Sequence, residues 1–210
     1  MLIAVDGPAA AGKGTLARRL ADHYGLAFLD TGILYRTVGL TLMDKGIPLS
    51  DRNAAKDAAM NIRLSEQEDP RLRSSEAGKA ASIVSSYPEV RQALLEFQRL
   101  FALKPEGAVL DGRDIGTVIA PEADFKFFIT ASAEVRAKRR YNELSQHDEQ
   151  ISFDVVLEDV RRRDERDAGR ADAPLKAAED AFILDTSDYN AEQVFKISVD
   201  HIERIRKIHG

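Results

Sequence analysis

The chain begins with a glycine-rich loop whose residue types could hold phosphate groups. Between a predicted strand, Leu2 to Val5, and a predicted helix, Lys13 to Tyr24, the sequence reads Gly7-Pro8-Ala9-Ala10-Ala11-Gly12-Lys13-Gly14-Thr15. Small residues let backbone N–H groups surround anionic oxygens, the helix adds the positive end of its dipole, and the lysine adds a charge. The pattern predicts a site for a nucleoside triphosphate, and a glycine-rich turn without ligand is the alternative.

The residue after Lys13 departs from the common form of this loop. Gly14 stands where Ser or Thr usually offers a hydroxyl to magnesium. Magnesium keeps several of its waters and binds substrate phosphates, so it does not need a dedicated protein cage. We therefore expect Mg²⁺ to be held largely by water and phosphate, with Thr15 and Asp111 as its protein contacts, mainly through water.

A second candidate segment follows the next predicted strand. Asp30-Thr31-Gly32-Ile33-Leu34-Tyr35-Arg36 opens a helix that Thr31 can cap. Arg36 lies about one turn further on and could reach the phosphate of an acceptor, and Tyr35 could pack against its ring or sugar. By itself the segment is more typical of an ordinary capped helix with a surface arginine.

A third segment, Val109 to Gly116, places charges at the end of a strand. An apolar run leads into Asp111, and the carboxyl edge of an open α/β sheet is where ligands bind. Asp111 is a candidate for water-mediated magnesium contact, Arg113 for a phosphate clamp, and Asp114 for accepting a hydrogen bond from an amino group on a base. A polar turn in which Asp and Arg pair with each other is the alternative.

The stretch from Arg161 to Asp172 is rich in arginine. Positions 163, 166, 167 and 170 share a helical face, so Arg163 and Asp167 can pair while Arg166 and Arg170 project. Phosphoryl transfer needs several cations around the moving group, and guanidinium binds phosphate oxygens bidentately. A segment of this kind could close over phosphates, although charge runs are often only solvated helix faces.

Composition excludes several classes of protein. The chain has 210 residues, no cysteine and a formal net charge of −5. Disulfides and thiolate metal sites are therefore excluded, and wholesale coating of nucleic acid is disfavoured. No apolar run approaches the roughly 20 residues of a membrane span, and the N-terminus shows no secretory pattern. We expect a cytoplasmic protein that binds neither a membrane nor a nucleic-acid polymer.

Short apolar runs alternate with helical periods along the chain. The further predicted strands are Leu26 to Leu29, Ala108 to Leu110, Phe125 to Ile129 and Phe182 to Leu184. Pro88 suits a first helical position, Ser132 can cap a helix running to about Gln146, and Ser152 can cap another. Residues 65 to 75 read as a loop between helices. Five strands, each followed by helix, predict a parallel α/β sheet in a single domain.

Together, the motifs resemble one known family. Gly-Pro-x-x-x-Gly-Lys-Gly-Thr, Asp-Thr-Gly-x-x-Tyr-Arg, Asp-Gly-Arg-Asp-x-Gly-Thr-Val and Arg-Asp-x-Arg-Asp-x-x-Arg-x-x-x-Pro-Leu, in this order, are similar to bacterial cytidylate kinase over nearly the whole chain. The resemblance implies a P-loop NTPase fold of three α/β/α layers with a five-stranded parallel sheet. It implies transfer of phosphate from ATP to CMP or dCMP, with Mg²⁺, in pyrimidine nucleotide metabolism.

The resemblance also implies roles for individual residues. Asp114, Ser82 and Arg91 would recognise the cytosine; Arg163 and Asp167 the ribose; Arg36, Arg113 and Arg170 the acceptor phosphate, with Thr31 and Tyr35 beside them. ATP would occupy Gly7 to Thr15, and we assign Arg166 to the ATP side. Lys13, Arg113, Arg163 and Arg170 are the expected catalytic residues, acting in an in-line transfer without a general base.

Domain organisation follows from the same resemblance. We expect a core of residues 1–30, 106–150 and 173–210, a helical monophosphate-binding insert at about 31–105, and a lid at about 150–172. Thr31 stands where many family members have Ser. The segment from Ile62 to Gly78 is shorter than in many members, so we expect no small β-sheet extension there.

Two other functions stay open from the sequence. One is a kinase for a different small acceptor, such as another monophosphate or shikimate. The other is a nucleotide-binding regulatory module without transfer, which would not need several arginines near phosphates. We expect a monomer that acts on small nucleotides.

Overall fold

Five parallel strands form the centre of the protein, in a computed structural model that describes residues 1–62, 69–145 and 151–209. The strands are β1 (Leu2–Asp6), β2 (Ala27–Asp30), β3 (Ala108–Gly112), β4 (Phe125–Thr130) and β5 (Phe182–Asp185). Their order in the sheet is β2-β3-β1-β4-β5. Parallel sheets are covered on both faces, which explains the nearly continuous apolar runs of β1 and β3. The predicted sheet is confirmed.

The described residues form eight α-helices beside the strands, and local signals fix most of the helix ends. Gly25, with φ +66°, ends the first helix, and the hydroxyls of Ser132 and Ser152 each accept a backbone N–H at a helix start, as predicted. The helices are α1 (Lys13–Tyr24), α2 (Thr31–Asp44), α3 (Arg52–Met60), α4 (Ser75–Val84), α5 (Pro88–Ala102), α6 (Ala133–Leu144), α7 (Phe153–Ala168) and α8 (Ala191–His209).

The two faces of the sheet carry different helices. On one face, Ile3 of β1 and Phe127 of β4 pack with residues of α1 and α8 such as Leu20 and Ile202. On the other face, Leu110 and its neighbours pack with α5 and with a short π-helical turn, Ile115–Ile119. The protein therefore has the three layers of a P-loop NTPase α/β fold.

Two groups of helices have hydrophobic clusters of their own. Helices α2 to α5 share a cluster that includes Leu34, Val38, Val84 and Leu94. Helices α6 and α7 share a smaller one around Ala137, Val156 and Val160. The first group spans the range in which the sequence predicts an insert, and the second contains the range of the predicted lid.

The segment before α4 is more regular than predicted. A 3-10 turn, Pro70–Arg73, is capped by Asp69, and α4 already begins at Ser75, whereas the sequence predicted loop throughout 65–75. Within 69–78 the structure contains this turn and the start of α4. Residues 63–68, which include the rest of the predicted loop and part of the segment in which no β-sheet extension is expected, lie outside the described residues, as does the predicted helix end at Gln146. No helix among the described residues is long and apolar enough to cross a membrane.

Candidate active site

The glycine-rich loop connects β1 to α1 as predicted. Gly7 has φ +144°, and a Cβ there would lie 1.9 Å from the carbonyl oxygen of Ile129, so only glycine fits. Gly12, with φ +93°, is the residue before α1. The loop therefore ends at the N-terminus of a helix, where backbone N–H groups and the helix dipole favour an anion.

Lys13 is buried at the start of α1, with 5% of its surface exposed. Its Nζ donates to the carbonyl oxygen of Pro8 at 3.0 Å and lies 3.7 Å from Oδ1 of Asp111. Burial lowers the pKa of Lys13 to about 8, and the nearby Arg113 charge acts in the same direction. The positive charge of the ammonium is therefore not fully balanced by the surrounding protein, which favours an anionic phosphate as its partner.

Asp111 fits the role of a metal contact. Burial raises its pKa to about 6, and among the described residues its Oδ1 has no hydrogen-bond partner. A Cβ at Gly14 would lie 3.2 Å from Oδ2, so the carboxylate stands where a larger side chain at position 14 would be crowded. Asp30, paired with Asp111 in the strand register, lines the same cavity. A hard cation prefers such oxygen atoms.

One cavity of about 380 Å³ opens in front of the loop. The loop residues that line the cavity are Ala9, Ala10 and Gly12 to Thr15, and Asp111 also lines it. The predicted acceptor-side residues that also line it are Arg36, Ser82, Arg113 and Arg163, and Arg166, assigned to the ATP side, lines it as well. Residues that are far apart in the chain are thus brought together at the carboxyl edge of the sheet.

The arginines of this cavity repel one another. Burial, together with the charges of Arg113 and Arg36, lowers the pKa of Arg163 to about 9. Burial also lowers the pKa of Arg36, whose guanidinium donates to the carbonyl oxygen of Leu72. A cluster of partly buried guanidinium groups is costly where counter-charge is incomplete. An anion with several oxygens, such as a phosphate, would relieve that cost.

Ser82 presents an unused polar atom to the cavity. The residue lies on α4 and is 2% exposed. Its hydroxyl has no hydrogen-bond partner among the described residues, although it is buried. Buried hydroxyls are normally paired, so a lone one that lines a cavity indicates a ligand group.

Two of the residues predicted to recognise a base, Arg91 and Asp114, lie together outside the cavity lining, whereas the third, Ser82, lines the cavity. The guanidinium of Arg91 forms an ion pair with Asp114, and both residues are buried, at 8% and 4% exposure. The same guanidinium lies 5.9 Å from the ring centroid of Tyr35. None of Arg91, Asp114 and Tyr35 lines the cavity described above, so their functional groups are engaged with each other.

Asp167 is the centre of a network that the sequence predicted only in part. Its carboxylate accepts from Nε of Arg113 at 3.0 Å and from Arg170, while Nε of Arg163 is 4.0 Å away. Although burial opposes it, these cations lower the pKa of Asp167. The predicted pair of Arg163 with Asp167 is present at 4.0 Å, but Arg113, from another element, comes closer, at 3.0 Å. Arg170 was predicted to project, which is wrong: its side chain is 6% exposed, pairs with Asp167 and donates to Ser85.

Thr31 does not cap α2, contrary to the prediction. Asp30 is the N-cap residue, and its carboxylate accepts from the backbone N–H of Gly32 at 2.9 Å. The hydroxyl of Thr31 donates instead to the carbonyl oxygen of Asp111 at 2.8 Å. An aspartate one residue earlier competes for the same cap, and it leaves Thr31 to join β3 to α2.

Sequence reasoning missed two residues of this region. Asp6, at the end of β1, accepts the backbone N–H groups of Ile115 at 2.8 Å and Gly116 at 2.7 Å, and burial raises its pKa to about 7. Arg140 of α6 lines the cavity and pairs with Glu143 at 2.7 Å. An aspartate beside the glycine-rich loop was the available signal for Asp6, whereas Arg140 is indistinguishable in sequence from a surface arginine.

Solved structures of low sequence identity share the fold. An uncharacterized protein from Eubacterium ventriosum superposes with a TM-score of 0.56 at 14% identity, with 97% of this chain and 98% of that one covered. A gluconokinase from Sinorhizobium meliloti gives a TM-score of 0.52 at 15% identity, covering 97% and 92%. At this identity the likeness concerns the fold alone.

Sequence relatives are much nearer. The cytidylate kinase family model matches residues 3–204. A cytidylate kinase from Methylocella silvestris is 55% identical over 97% of this chain and 94% of its own length. One from Methylobacterium sp. is 59% identical over 86% of each chain, and one from Rhodopseudomonas palustris is 51% identical over 98% and 97%. With the loop, the arginine cavity and these matches over nearly its whole length, the chain belongs to the cytidylate kinase family.

Proposed function

We propose that this protein transfers the γ-phosphate of ATP to CMP and dCMP, giving CDP and dCDP, by direct in-line attack. The observation that supports this best is the single cavity in which the phosphate loop faces Arg36, Arg113 and Arg163. A donor and an acceptor phosphate can meet there. Because one chain supplies all of these residues, we also propose that the monomer is the active unit.

The chemistry needs no general base in this proposal. The acceptor phosphate is already an anionic nucleophile, so catalysis consists of alignment and of charge neutralisation. Lys13 would contact the β- and γ-phosphates, and Arg113, Arg163 and Arg170 would surround the transferring group, with Arg166 toward ATP. Arg36 would hold the acceptor phosphate.

Recognition of the acceptor would use groups that line the cavity and groups beside it. Asp114 would accept from the exocyclic amino group of cytosine, with Arg91 and Ser82 completing the base site. Asp167 and Arg163 would hold the ribose, and Tyr35 and Thr31 would support the acceptor side. Arg91 binds Oδ2 of Asp114, so Oδ1 would be the oxygen that accepts from the base.

We assign Mg²⁺ to the oxygen atoms of Asp111 and Thr15, mainly through bound water. The unpaired Oδ1 of Asp111 supports this assignment. The ion would neutralise charge on the phosphates. Among the described residues, no group of three or more Asp, Glu or His side chains could hold a metal, so the nucleotide has to supply other ligands.

The chain is proposed to close around its substrates. Residues 31–105 would form the acceptor-binding insert and residues 150–172 the lid, with the remaining segments as the core. The separate hydrophobic cluster of α2 to α5 supports the insert, whereas α7 of the lid shares its cluster with α6 of the core. Lys79 of α4 pairs with Asp159 of α7 at 3.0 Å, which would join insert and lid when the site is closed.

An acceptor screen tests the proposed function. ADP release is measured with ATP, Mg²⁺ and each of CMP, dCMP, UMP, AMP, GMP and shikimate. We expect kcat/KM for CMP and dCMP to exceed that for AMP, GMP and shikimate by at least about 10²-fold. Equal rates with all monophosphates, or ATP hydrolysis unaffected by any of them, would contradict the proposal.

The titration of Lys13 predicts the alkaline limb of the pH profile. Its pKa is lowered to about 8 in the free protein by burial, so above that pH the ammonium becomes neutral and loses its attraction for phosphate. We expect kcat/KM for ATP to fall about tenfold per pH unit above this value. Bound phosphates restore the ammonium form, so kcat should fall only at higher pH. A profile of kcat/KM for ATP that stays flat between pH 7 and 9.5 would contradict this.

A further inference from the structure

Helix α6 presents two arginines to the outer side of the phosphate loop. Arg136 and Arg139 are three residues apart, so they share one face of the helix. Nη1 of Arg136 donates to the carbonyl oxygen of Ala9, and Nη1 of Arg139 donates to that of Ala11, both at 3.3 Å. These two hydrogen bonds therefore fix the loop on either side of Ala10.

Ala10 is the strained residue of the loop. Its φ is +60°, and among the described residues Ala173 is the only other non-glycine residue with a positive φ. An alanine adopts this conformation only where its surroundings hold it. The two guanidinium groups that fix the neighbouring carbonyl oxygens provide such surroundings.

The two arginines are anchored to different parts of the protein. Arg139 donates to the carbonyl oxygen and Oγ1 of Thr186, just after β5, at 2.7 and 3.0 Å. Arg136 forms a bidentate ion pair with Asp164 of α7, at 3.0 and 2.6 Å. Thus Arg139 ties the loop to the sheet, whereas Arg136 ties it to α7.

Asp164 is the residue next to Arg163, which lines the cavity. Neither Arg136 nor Asp164 lines the cavity, and the two side chains bind each other. The Arg136 side chain is only 5% exposed, so water is poorly placed to replace the carboxylate. The position of α7 is in this way connected to the strained part of the loop.

We propose that Arg136 and Asp164 form a positioning pair that couples the conformation of the phosphate loop at Ala9 and Ala10 to the docking of α7. When α7 is docked, Arg163 enters the cavity and the loop is held in its phosphate-binding form by the same ion pair. This inference rests on the proposed function, because that function assigns Arg163 to the transferring phosphate.

A double-mutant cycle tests the proposal. Arg136→Lys, Asp164→Asn and the double variant are compared with the wild type for kcat with saturating ATP and CMP. Lysine has no guanidinium fork, so it cannot hold both the Ala9 carbonyl oxygen and two carboxylate oxygens. We expect each single substitution to lower kcat about 10- to 30-fold and the double variant to be no slower than the slower single one, because the pair acts as a unit.

A matched ion pair serves as the control. Arg161 and Glu134 also join α7 to α6, at 2.7 Å, but both side chains are 58% exposed and contact no loop residue. Arg161→Ala is expected to leave kcat within twofold of the wild type. Thermal unfolding midpoints of all variants are recorded, and kcat is measured well below the lowest of them.

Several outcomes would overturn the proposal. These are an Asp164→Asn variant with kcat within twofold of the wild type, a double variant whose loss is the product of the single losses, or an equal loss in Arg161→Ala. If Arg136→Lys does not fold, the comparison of Asp164→Asn with Arg161→Ala still decides the question. A wild-type protein that does not prefer CMP would instead contradict the proposed function, and that is measured first.

Discussion

Replacing Lys13 with methionine is expected to lower kcat for CMP phosphorylation by about 10³-fold or more. Lys13 is the cation at the start of α1, buried beside the loop that would hold the donor phosphates. Methionine keeps much of the side-chain volume but removes the charge. Lys13 would neutralise charge on the phosphates in a low-dielectric cavity. Loss of the lysine charge should therefore lower kcat strongly and raise KM for ATP less.

The fold should survive this substitution. Asp111, whose pKa burial already raises, can take up a proton once the ammonium 3.7 Å away is gone, which limits the cost of leaving it unpaired. Thermal unfolding of the variant checks this point. Lys56→Met, at an exposed site on α3, is the matched control and should retain wild-type kcat. A Lys13→Met variant with more than a tenth of wild-type kcat would contradict the catalytic role of Lys13.

Local patterns account for what the sequence predicts well. The apolar runs of the five strands, the loop between β1 and α1, and the helix caps at Ser132 and Ser152 depend on residues within one turn or one strand. The predicted bounds of α1 match the observed ones for the same reason, because Gly12 and Gly25 limit it on both sides. Where a signal is local and steric, sequence is sufficient.

Pairings between distant segments could not be predicted in this way. Asp167 was expected to pair with Arg163 four residues away, but Arg113, more than fifty residues earlier, approaches more closely. Spacing on one helix says which residues share a face but not which side chain from another element is nearer. Arg136 and Asp6 act through backbone groups far along the chain, and nothing in their immediate sequence marks those contacts.

The base site shows why geometry matters for acceptor choice. Arg91 and Asp114 are both buried and satisfy each other, and Asp6 holds the backbone just after Asp114 through Ile115 and Gly116. The carboxylate at position 114 is therefore fixed in place before any ligand arrives. Preorganisation of that kind favours selectivity over simple attraction, because a wrong partner leaves a buried group unpaired.

Asp114→Asn is accordingly expected to change which pyrimidine is accepted. A carboxylate can only accept a hydrogen bond, which suits the amino group of cytosine and repels the carbonyl oxygen that uracil has there. Asparagine can donate to that oxygen. We expect kcat/KM for CMP to fall about 10²-fold and the ratio of UMP to CMP activity to rise at least about tenfold. Asparagine also keeps an acceptor for Arg91, so the buried cation is not left without a partner, as it would be with alanine.

Arg113→Ala is the comparison that separates base recognition from phosphate affinity. Arg113 lines the cavity with Lys13, and its guanidinium donates to Asp167. Its loss should lower kcat/KM for CMP and UMP alike, by about 10²-fold, and leave their ratio unchanged. Asp188→Asn, at an exposed position, is the matched control for Asp114→Asn. It should change neither kcat/KM for CMP nor the ratio of UMP to CMP activity. If Asp114→Asn and Arg113→Ala gave the same acceptor profile, Asp114 would have no special role toward the base, and selectivity would have to come from Ser82 and the shape of the cavity.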